Sequence, residues 1–415
     1  MPKSILDTDR NLVRLYLHHT GDSEIPAEFN LWSCLSLIAA CVADRVWIEK
    51  HRGKKLTPNL YVALIGPSAV GKGEAIDTAL TFVRDNPRVN VYAGKATPQH
   101  LVARMGKPRR DEQGRLILEN AKMFLVTPEL SMALGKGEQA DSLVKHMTEL
   151  YTGRDYPFRD GTVTRGEVTV KGYCINWLAG TTKEWLIDCV PKEAISGGFF
   201  GRMVAVPGKY DFGKRLVRPI YPSDYDQVVD HLRERIEILT HIEGEVHMSA
   251  KAREVEDRWY NERPSPSDES LAPAWKRQHD LLLKLAMILA LASPECVPEQ
   301  LVIRSGHVLQ AQRLCQSALK VMPELMIAAA ETQDTAGLAA VSTYLRRMKQ
   351  VQHSTLLRYV STKGLNAEKM RLVIETLVQA KYVRRVSSSR GMAYVWADRR
   401  RMPVDKITRV ENEDE

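Results

Sequence analysis

Apolar and polar positions along this chain follow two rhythms. From Leu60 to Ile65 the apolar run is unbroken, which is how a strand reads when both faces of a parallel sheet are covered. Further strands are expected at 89–92, 123–127, 173–179 and 203–206, with helices over 74–83, 99–105 and 141–151 between them. Residues 1 to about 50 read as helical, with Leu31 to Val46 an apolar helix that packs as a buried collar, and residues 51–58 read as a solvated basic turn. From Ser223 to about Ala330 the reading is helical throughout, with segments at 225–240, 250–262, 274–292 and 305–330. Two charged hairpins interrupt the first half, one at 107–119 with Gln113-Gly114 at its tip and one at 162–169 turning at Arg165-Gly166. Residues 338–349, 353–361 and 366–380 then read as three helices, and 382–386 and 392–396 as strands flanking a turn, which together make the winged-helix pattern.

The first strand leads into Gly66-Pro67-Ser68-Ala69-Val70-Gly71-Lys72-Gly73-Glu74. Gly66, four residues, then Gly71-Lys72 is the Walker A spacing. Small residues let successive N–H groups turn to one point, the following helix adds positive potential there, and Lys72 supplies a mobile charge for terminal phosphates. All nine residues are therefore candidate nucleotide ligands. The last position departs from the pattern, which asks for a Ser or Thr hydroxyl on Mg²⁺ where this chain has Gly73 and then Glu74. Glu74 as a Mg²⁺ ligand, as a complement to the helix dipole, or as a carboxylate that repels phosphates all stay open.

The third strand ends Thr127-Pro128-Glu129, so the places where a Walker B aspartate would stand are taken and only Glu129 remains. An acid directly after an apolar strand lies at the active edge of an α/β sheet, which makes Glu129 the candidate catalytic base and second metal ligand; a helix N-terminal acid is the plainer alternative. Asn176 and Thr181, on and after the fourth strand, compete for a place beside the γ-phosphate. Arg202, after a Gly-Gly pair, has the setting of an arginine finger, and Arg277, opening an apolar helix, that of a second arginine acting on nucleotide. Arg159, Arg165 and Lys171 make the 162–169 hairpin basic, and Lys363, Lys369, Arg371, Arg384, Arg385 and Arg390 do the same for the third C-terminal helix, its approach and the wing. Flexible cations of this kind suit a DNA backbone, although charged edges also serve simply to stay solvated.

Composition adds little that is specific. The chain has 415 residues with 59 Lys and Arg against 51 Asp and Glu, a net +8 that favours a polyanionic partner. Six scattered cysteines without a CxxC pair read as reduced core thiols rather than as zinc ligands or disulfides. No run is apolar for long enough to span a bilayer, since Leu281 to Ala292 is short and interrupted by Lys284, and no signal-peptide core opens the sequence; a cytoplasmic protein is expected.

Taken in order, PAEFNLWSCLSLIAACVADRVWIE, LTPNLYVALIGPSAVGKG, GKATPQHL, GTTKEWL and GGFFGRM resemble a P-loop family of phage and prophage proteins related to primase-helicases and largely known as a domain of unknown function. The resemblance spans roughly residues 25–320. The settings of Arg202 and Arg277 are also similar to the finger and lid arginines of minichromosome-maintenance helicases, which end in a winged helix as well. That resemblance implies an α/β fold: an AAA+ P-loop three-layer core of strand order 5-1-4-3-2, a helical lid and a C-terminal winged-helix domain. The divisions would be 1–55 for the collar, 56–215 for the core, 216–330 for the lid, 331–400 for the winged helix and 401–415 for a disordered tail. It further implies ATP and Mg²⁺ as cofactors, a hexameric ring of copies, DNA and a primase or other replication proteins as partners, and a bacterial or phage-infected host cytoplasm. The leading expectation is an ATP-dependent DNA motor, a replicative helicase of a phage or mobile element. The runner-up is a nucleotide-gated DNA-binding initiator, helicase loader or regulator. A small-molecule kinase would share Gly73 but leave the winged helix unexplained.

Overall fold

The computed structural model describes residues 4–397, apart from 22, 95–96, 108, 111–115, 119–120, 131–137, 154–156, 163–165, 190–197, 215, 217–219, 267–271, 363–366, 380–381 and 389–390. At its centre lie five parallel strands: β1 (Tyr61–Ile65), β2 (Val91–Ala93), β3 (Lys122–Thr127), β4 (Cys174–Thr181) and β5 (Met203–Pro207). Their order across the sheet is β5-β1-β4-β3-β2, which is the 5-1-4-3-2 order expected above. Tyr61 stands opposite Trp177 and Met203, and Ile65 opposite Thr181 and Pro207, so β1, β4 and β5 run in step and end on one edge. This is a mixed α/β fold with a central parallel sheet, consistent with a P-loop, AAA+-like core.

Every residue of β1 and β4 is buried, which is why their sequences show no alternation. Val62 and Leu64 join Leu178, Val204 and Val206 in a core shared with helices Leu12–Thr20, Ala27–Val42, Tyr225–Leu239 and Ala272–Ala292. Tyr61 and Ala63 face the other way, toward Trp177, Leu101 and Val102 of helix Pro98–Met105, and Leu143 and Met147 of helix Glu138–Leu150. Helix Ala27–Val42 is buried nearly all round, with Leu35, Leu37 and Ile38 fully enclosed. Each such side chain contributes roughly 1.5–3 kcal/mol by its removal from water.

Two expectations are corrected here. The collar helix stops at Val42, not Val46, because Ala43 adopts φ 49° and the β-branched and aromatic run that follows forms strand Val46–His51. That strand pairs antiparallel with Lys54–Leu56, forming a hairpin whose exposed turn, Arg52-Gly53, sits at positive φ. Lys55 caps the Trp47 ring at 3.6 Å, and Val46-Trp47 also pairs in parallel with Gly244-Glu245. The stretch 223–330 is accordingly not all helical, since His247–Met248 pairs with Val302–Ile303 as well.

At the foot of the sheet, where the strands begin, Lys284 of helix Ala272–Ala292 is buried. Its ammonium donates to the Asn59 backbone oxygen at 2.9 Å and to Asn59 Oδ1 at 2.6 Å, and lies 4.0 Å from the centre of the Tyr151 ring. Burial drives its pKa down to about 7. Above that pH the unfolded chain holds a proton that the folded one has released, so this lysine makes stability rise with pH until the unfolded lysine also titrates, near pH 10.5. The slope approaches about 1.4 kcal/mol per pH unit in that window. Urea unfolding at pH 7 and pH 9 is expected to show the wild type gaining about 2 kcal/mol relative to Lys284→Met; parallel behaviour of the two would contradict it.

Compact units are residues 1–328 and 329–415. The boundary lies inside a single helix, Ser305–Met348, so the expected break between 330 and 338 does not occur. In the second unit, helices His353–Ser361 and Ala367–Gln379 pack with Val341 and Leu345 around Leu356, Val360, Met370, Ile374 and Leu377. Strand Gly391–Trp396 is central in an antiparallel sheet between Gln350–Gln352 and Val383–Ser388. The strand Gln350–Gln352 was not foreseen.

Candidate nucleotide-binding site

β1 ends at Ile65, and the loop that follows is anchored on both sides. The Gly66 N–H donates to the Thr181 carbonyl at 3.1 Å, and the Gly208 N–H to the Ile65 carbonyl at 2.8 Å. The chain turns through Ala69 at φ 61° and Gly71 at φ 91° before helix Lys72–Leu80 begins. A side chain at Gly71 would be strained by that angle, and its Cβ would lie 2.9 Å from the Ile25 side chain. Among the described residues no side chain caps this helix, which leaves the positive end of its dipole uncapped at the loop. Lys72 is buried and lies back across the loop, donating to the Gly66 carbonyl at 2.8 Å and the Pro67 carbonyl at 2.6 Å. Burial lowers its pKa and the nearby Glu129 carboxylate opposes that shift. Gly66 to Glu74 thus form a turned, lysine-bearing loop at a helix N-terminus, an arrangement that suits a polyphosphate.

Glu129 reaches this cradle because of a glycine in the neighbouring strand. A Cβ on Gly180 would stand 2.3 Å from the Pro128 carbonyl oxygen and 3.5 Å from Lys72 Cβ. Only a residue without a side chain lets the end of β3 approach β4 closely enough to put Glu129, which is exposed, beside Lys72. Gly180→Ala is therefore expected to push the Pro128-Glu129 peptide away at a cost of roughly 1–3 kcal/mol in stability. Urea unfolding checks this; unchanged stability would show that the two strand ends do not meet this closely.

Thr181 is buried at the same strand edge, its hydroxyl donating to the Thr182 carbonyl at 3.2 Å. Asn176 is elsewhere. It lies toward the start of β4, where its Oδ1 accepts from the Leu60 N–H at 3.0 Å and its amide donates to the Ala39 carbonyl at 3.3 Å. Five residues of strand, roughly 16 Å, separate it from Thr181. Its place beside the γ-phosphate is therefore corrected: Asn176 ties β4 to β1 and to the collar helix.

Thr127 also has an occupation that its sequence context concealed. The Trp177 indole N–H donates to its hydroxyl at 2.7 Å in the interior. A buried hydroxyl satisfies that donor where an aspartate would serve a metal; Glu129 and Glu74, both exposed, lie near the cradle, and Glu24 and Asp211 border the cavity beside it. Among the described residues no group of three or more His, Cys, Asp or Glu could hold a metal ion.

Arg202 and Arg277 come together. Arg202 ends the short turn Phe200–Arg202 and donates to the Gly198 carbonyl at 2.8 Å; a Cβ on Gly198 would lie 3.0 Å from Arg202 Nη1 and from both terminal nitrogens of Arg277. Burial and the neighbouring Arg277 charge lower the Arg202 pKa, and its Nε is buried without a hydrogen-bond partner. Arg202 immediately precedes β5, whose first residue stands opposite Tyr61. Roughly 13 Å of strand therefore separates this arginine pair from the loop of the same chain.

The cations proposed for DNA are spread over both units. Arg159 on strand Phe158–Thr162 and Lys171 after strand Gly166–Val170 are exposed on a two-stranded hairpin. In the second unit Arg371, Arg384 and Arg385 are exposed, Arg385 lying 3.9 Å from the Glu375 carboxylate. Lys369 falls within helix Ala367–Gln379. Arg165, Lys363 and Arg390 lie outside the described residues, as does the tail 401–415.

No protein-family model matches the chain, and no curated protein does. Among solved structures it is similar to a full-length MCM homolog from Methanopyrus kandleri, with 16% sequence identity and a TM-score of 0.43 over 78% of this chain. The similarity covers 63% of that structure's own length, so the chain matches less than two thirds of it.

Proposed function

We propose that this protein is a nucleotide-hydrolysing DNA motor built on an AAA+-type core, a replicative helicase of a phage or mobile element, assembled as a hexameric ring. The observation that carries the reading is the division of the candidate machinery between opposite edges of one sheet. Lys72, Glu129 and Thr181 gather where β1 and β4 end, whereas Arg202 and Arg277 gather where β5 begins. An arginine pair that cannot reach its own loop can reach the loop of an adjacent copy, and a ring supplies one such neighbour to every subunit.

In this reading the loop amides and Lys72 hold the phosphates of ATP, and the neighbour's Arg202 and Arg277 balance the charge that develops on them. Glu129 accepts the proton of the attacking water. Mg²⁺, when bound, would neutralise phosphate charge, and Glu129 and Glu74 are the carboxylates that would hold it. The C-terminal unit, with three helical segments and a three-stranded antiparallel sheet, supports a winged helix, and its exposed Arg371 and Arg384 suit phosphate contact. The exposed hairpin cations Arg159 and Lys171 would grip a strand as nucleotides turn over. A primase or other replication proteins would be the further partners of such a motor.

One observation favours a second reading. With Gly73 lacking a hydroxyl and the Thr127 hydroxyl committed to Trp177, the usual magnesium side chains are absent, which suits a nucleotide-gated initiator, loader or regulator that binds ATP without turning it over. ATP hydrolysis by the full chain, with and without single-stranded DNA, separates the two. The motor reading expects turnover that DNA stimulates and Glu129→Gln abolishes. Tight ATP binding without turnover under either condition would replace it with the gated binder.

A further inference from the structure

The segment that follows β5 runs back toward the phosphate loop. It leaves the sheet at a fixed point, where the buried Gly208 donates its N–H to the Ile65 carbonyl at 2.8 Å and a Cβ would stand 2.2 Å from the Phe29 ring. From Lys209 to Gly213, by contrast, every residue is exposed. The turn within this stretch is closed by its own bonds: the Gly213 N–H donates to Asp211 Oδ1 at 3.0 Å and the Lys214 N–H to the Asp211 carbonyl at 3.1 Å. A small preformed piece of chain therefore lies largely in solvent on a rigid root.

Two side chains tie that piece down. The Tyr210 hydroxyl donates to the Ser68 carbonyl, inside the phosphate loop, and the Lys214 ammonium donates to the Gly21 carbonyl at 2.6 Å, ahead of helix Ala27–Val42. Tyr210, Asp211 and Lys214 also line one cavity of about 370 Å³ with Ala69, Gly71 and Glu74 of the loop. Segment and loop are thus two walls of one space, and the bond from Tyr210 to Ser68 joins the walls. Both acceptors are neutral carbonyls, and both ties are exposed, so water competes for each donor and replaces it at small cost.

We propose that Gly208–Lys214 is a strap that gates the phosphate loop, and that a nucleotide enters or leaves only while Tyr210 is released from Ser68 and Lys214 from Gly21. This rests on reading Gly66–Glu74 as the seat of a nucleotide's phosphates. A gate and a ligand contact differ in their kinetics. A contact made only in the complex slows departure and leaves arrival nearly untouched. A latch that closes over both the free and the occupied loop slows arrival and departure alike, and leaves affinity where it was.

Stopped-flow mixing of the full chain with a non-hydrolysable fluorescent analogue of ATP gives both rate constants. Tyr210→Phe keeps the ring and removes only the hydroxyl. It is expected to raise association and dissociation together by about three- to tenfold, the effect of losing one such bond, with affinity held within about twofold. Lys214→Met is expected to act in the same direction, and Lys72→Ala, which removes a ligand contact, to act mainly on dissociation. Rate constants unchanged in Tyr210→Phe would overturn the gate, and so would a change confined to one of the two. Wild-type protein that binds no nucleotide would overturn the phosphate seat itself, an outcome distinct from any result with the variants.

Discussion

Lys72→Ala is expected to lower affinity for ATP by on the order of a hundredfold and to abolish its hydrolysis. The lysine is buried against the loop it serves, and its ammonium already spans the Gly66 and Pro67 carbonyls. A triphosphate arriving at the loop offers that cation full negative charges, a stronger attraction than two carbonyl dipoles provide. Removing it leaves the loop amides as the main attraction for several negative charges. Backbone bonds at Gly66 and Gly208 also anchor the loop, so it keeps part of its support when the side chain is removed. Fluorescent-nucleotide titration and urea unfolding together check the prediction: affinity should fall while the variant stays folded, losing roughly 1–3 kcal/mol with the two buried hydrogen bonds.

Arg202→Ala is expected to do the reverse, leaving ATP affinity within a few-fold of wild type and cutting turnover by on the order of a thousandfold. Arg202 stands before β5, roughly 13 Å of strand away from the loop of its own chain, so the nucleotide bound there loses no contact to it. In the proposed ring, what is lost is a cation that meets developing charge on the nucleotide of another copy, and an interaction made only in the transition state appears in kcat rather than in binding. Arg202 also has a structural neighbour, the Tyr151 ring at 6.0 Å, and Arg202→Lys separates the two roles. The lysine keeps charge near that ring but lacks the forked guanidinium, so it should recover stability and little of the turnover.

How much of this could be seen beforehand depended on how local each signal was. Strands β1, β3, β4 and β5 were legible because a strand buried on both faces is apolar at nearly every position, and the Gly66–Glu74 loop because its chemistry is contiguous in sequence. Helix His353–Ser361 was bounded correctly because its apolar face and both ends are local. Strand Val46–His51 was missed because it follows directly on an apolar helix, and only the positive φ at Ala43, invisible in sequence, divides them. Lys284 read as an interruption in an apolar run; its partners, Asn59 and Tyr151, lie more than a hundred residues away in sequence, and the burial they allow is a tertiary fact. Asn176 looked like an active-site amide for the opposite reason: a polar residue in a buried strand suggests function, but here it satisfies the Leu60 N–H and the Ala39 carbonyl. Glu129 could be proposed from sequence, whereas the glycine that admits it could not, since Gly180 acquires its meaning from Pro128 on the neighbouring strand. Likewise Arg202 and Arg277 were separate suggestions until the fold brought both to Gly198.

The central claim is that each nucleotide site is completed by another copy of the chain. Mixing Lys72→Ala with Arg202→Ala tests it most directly, since neither variant alone retains a complete site but a contact between the wild-type loop of one and the wild-type arginines of the other does. ATP turnover measured across mixing ratios is expected to be negligible at both ends and to rise to a maximum between them. Turnover that stays negligible at every ratio, although both variants fold and assemble with one another, would contradict the shared site.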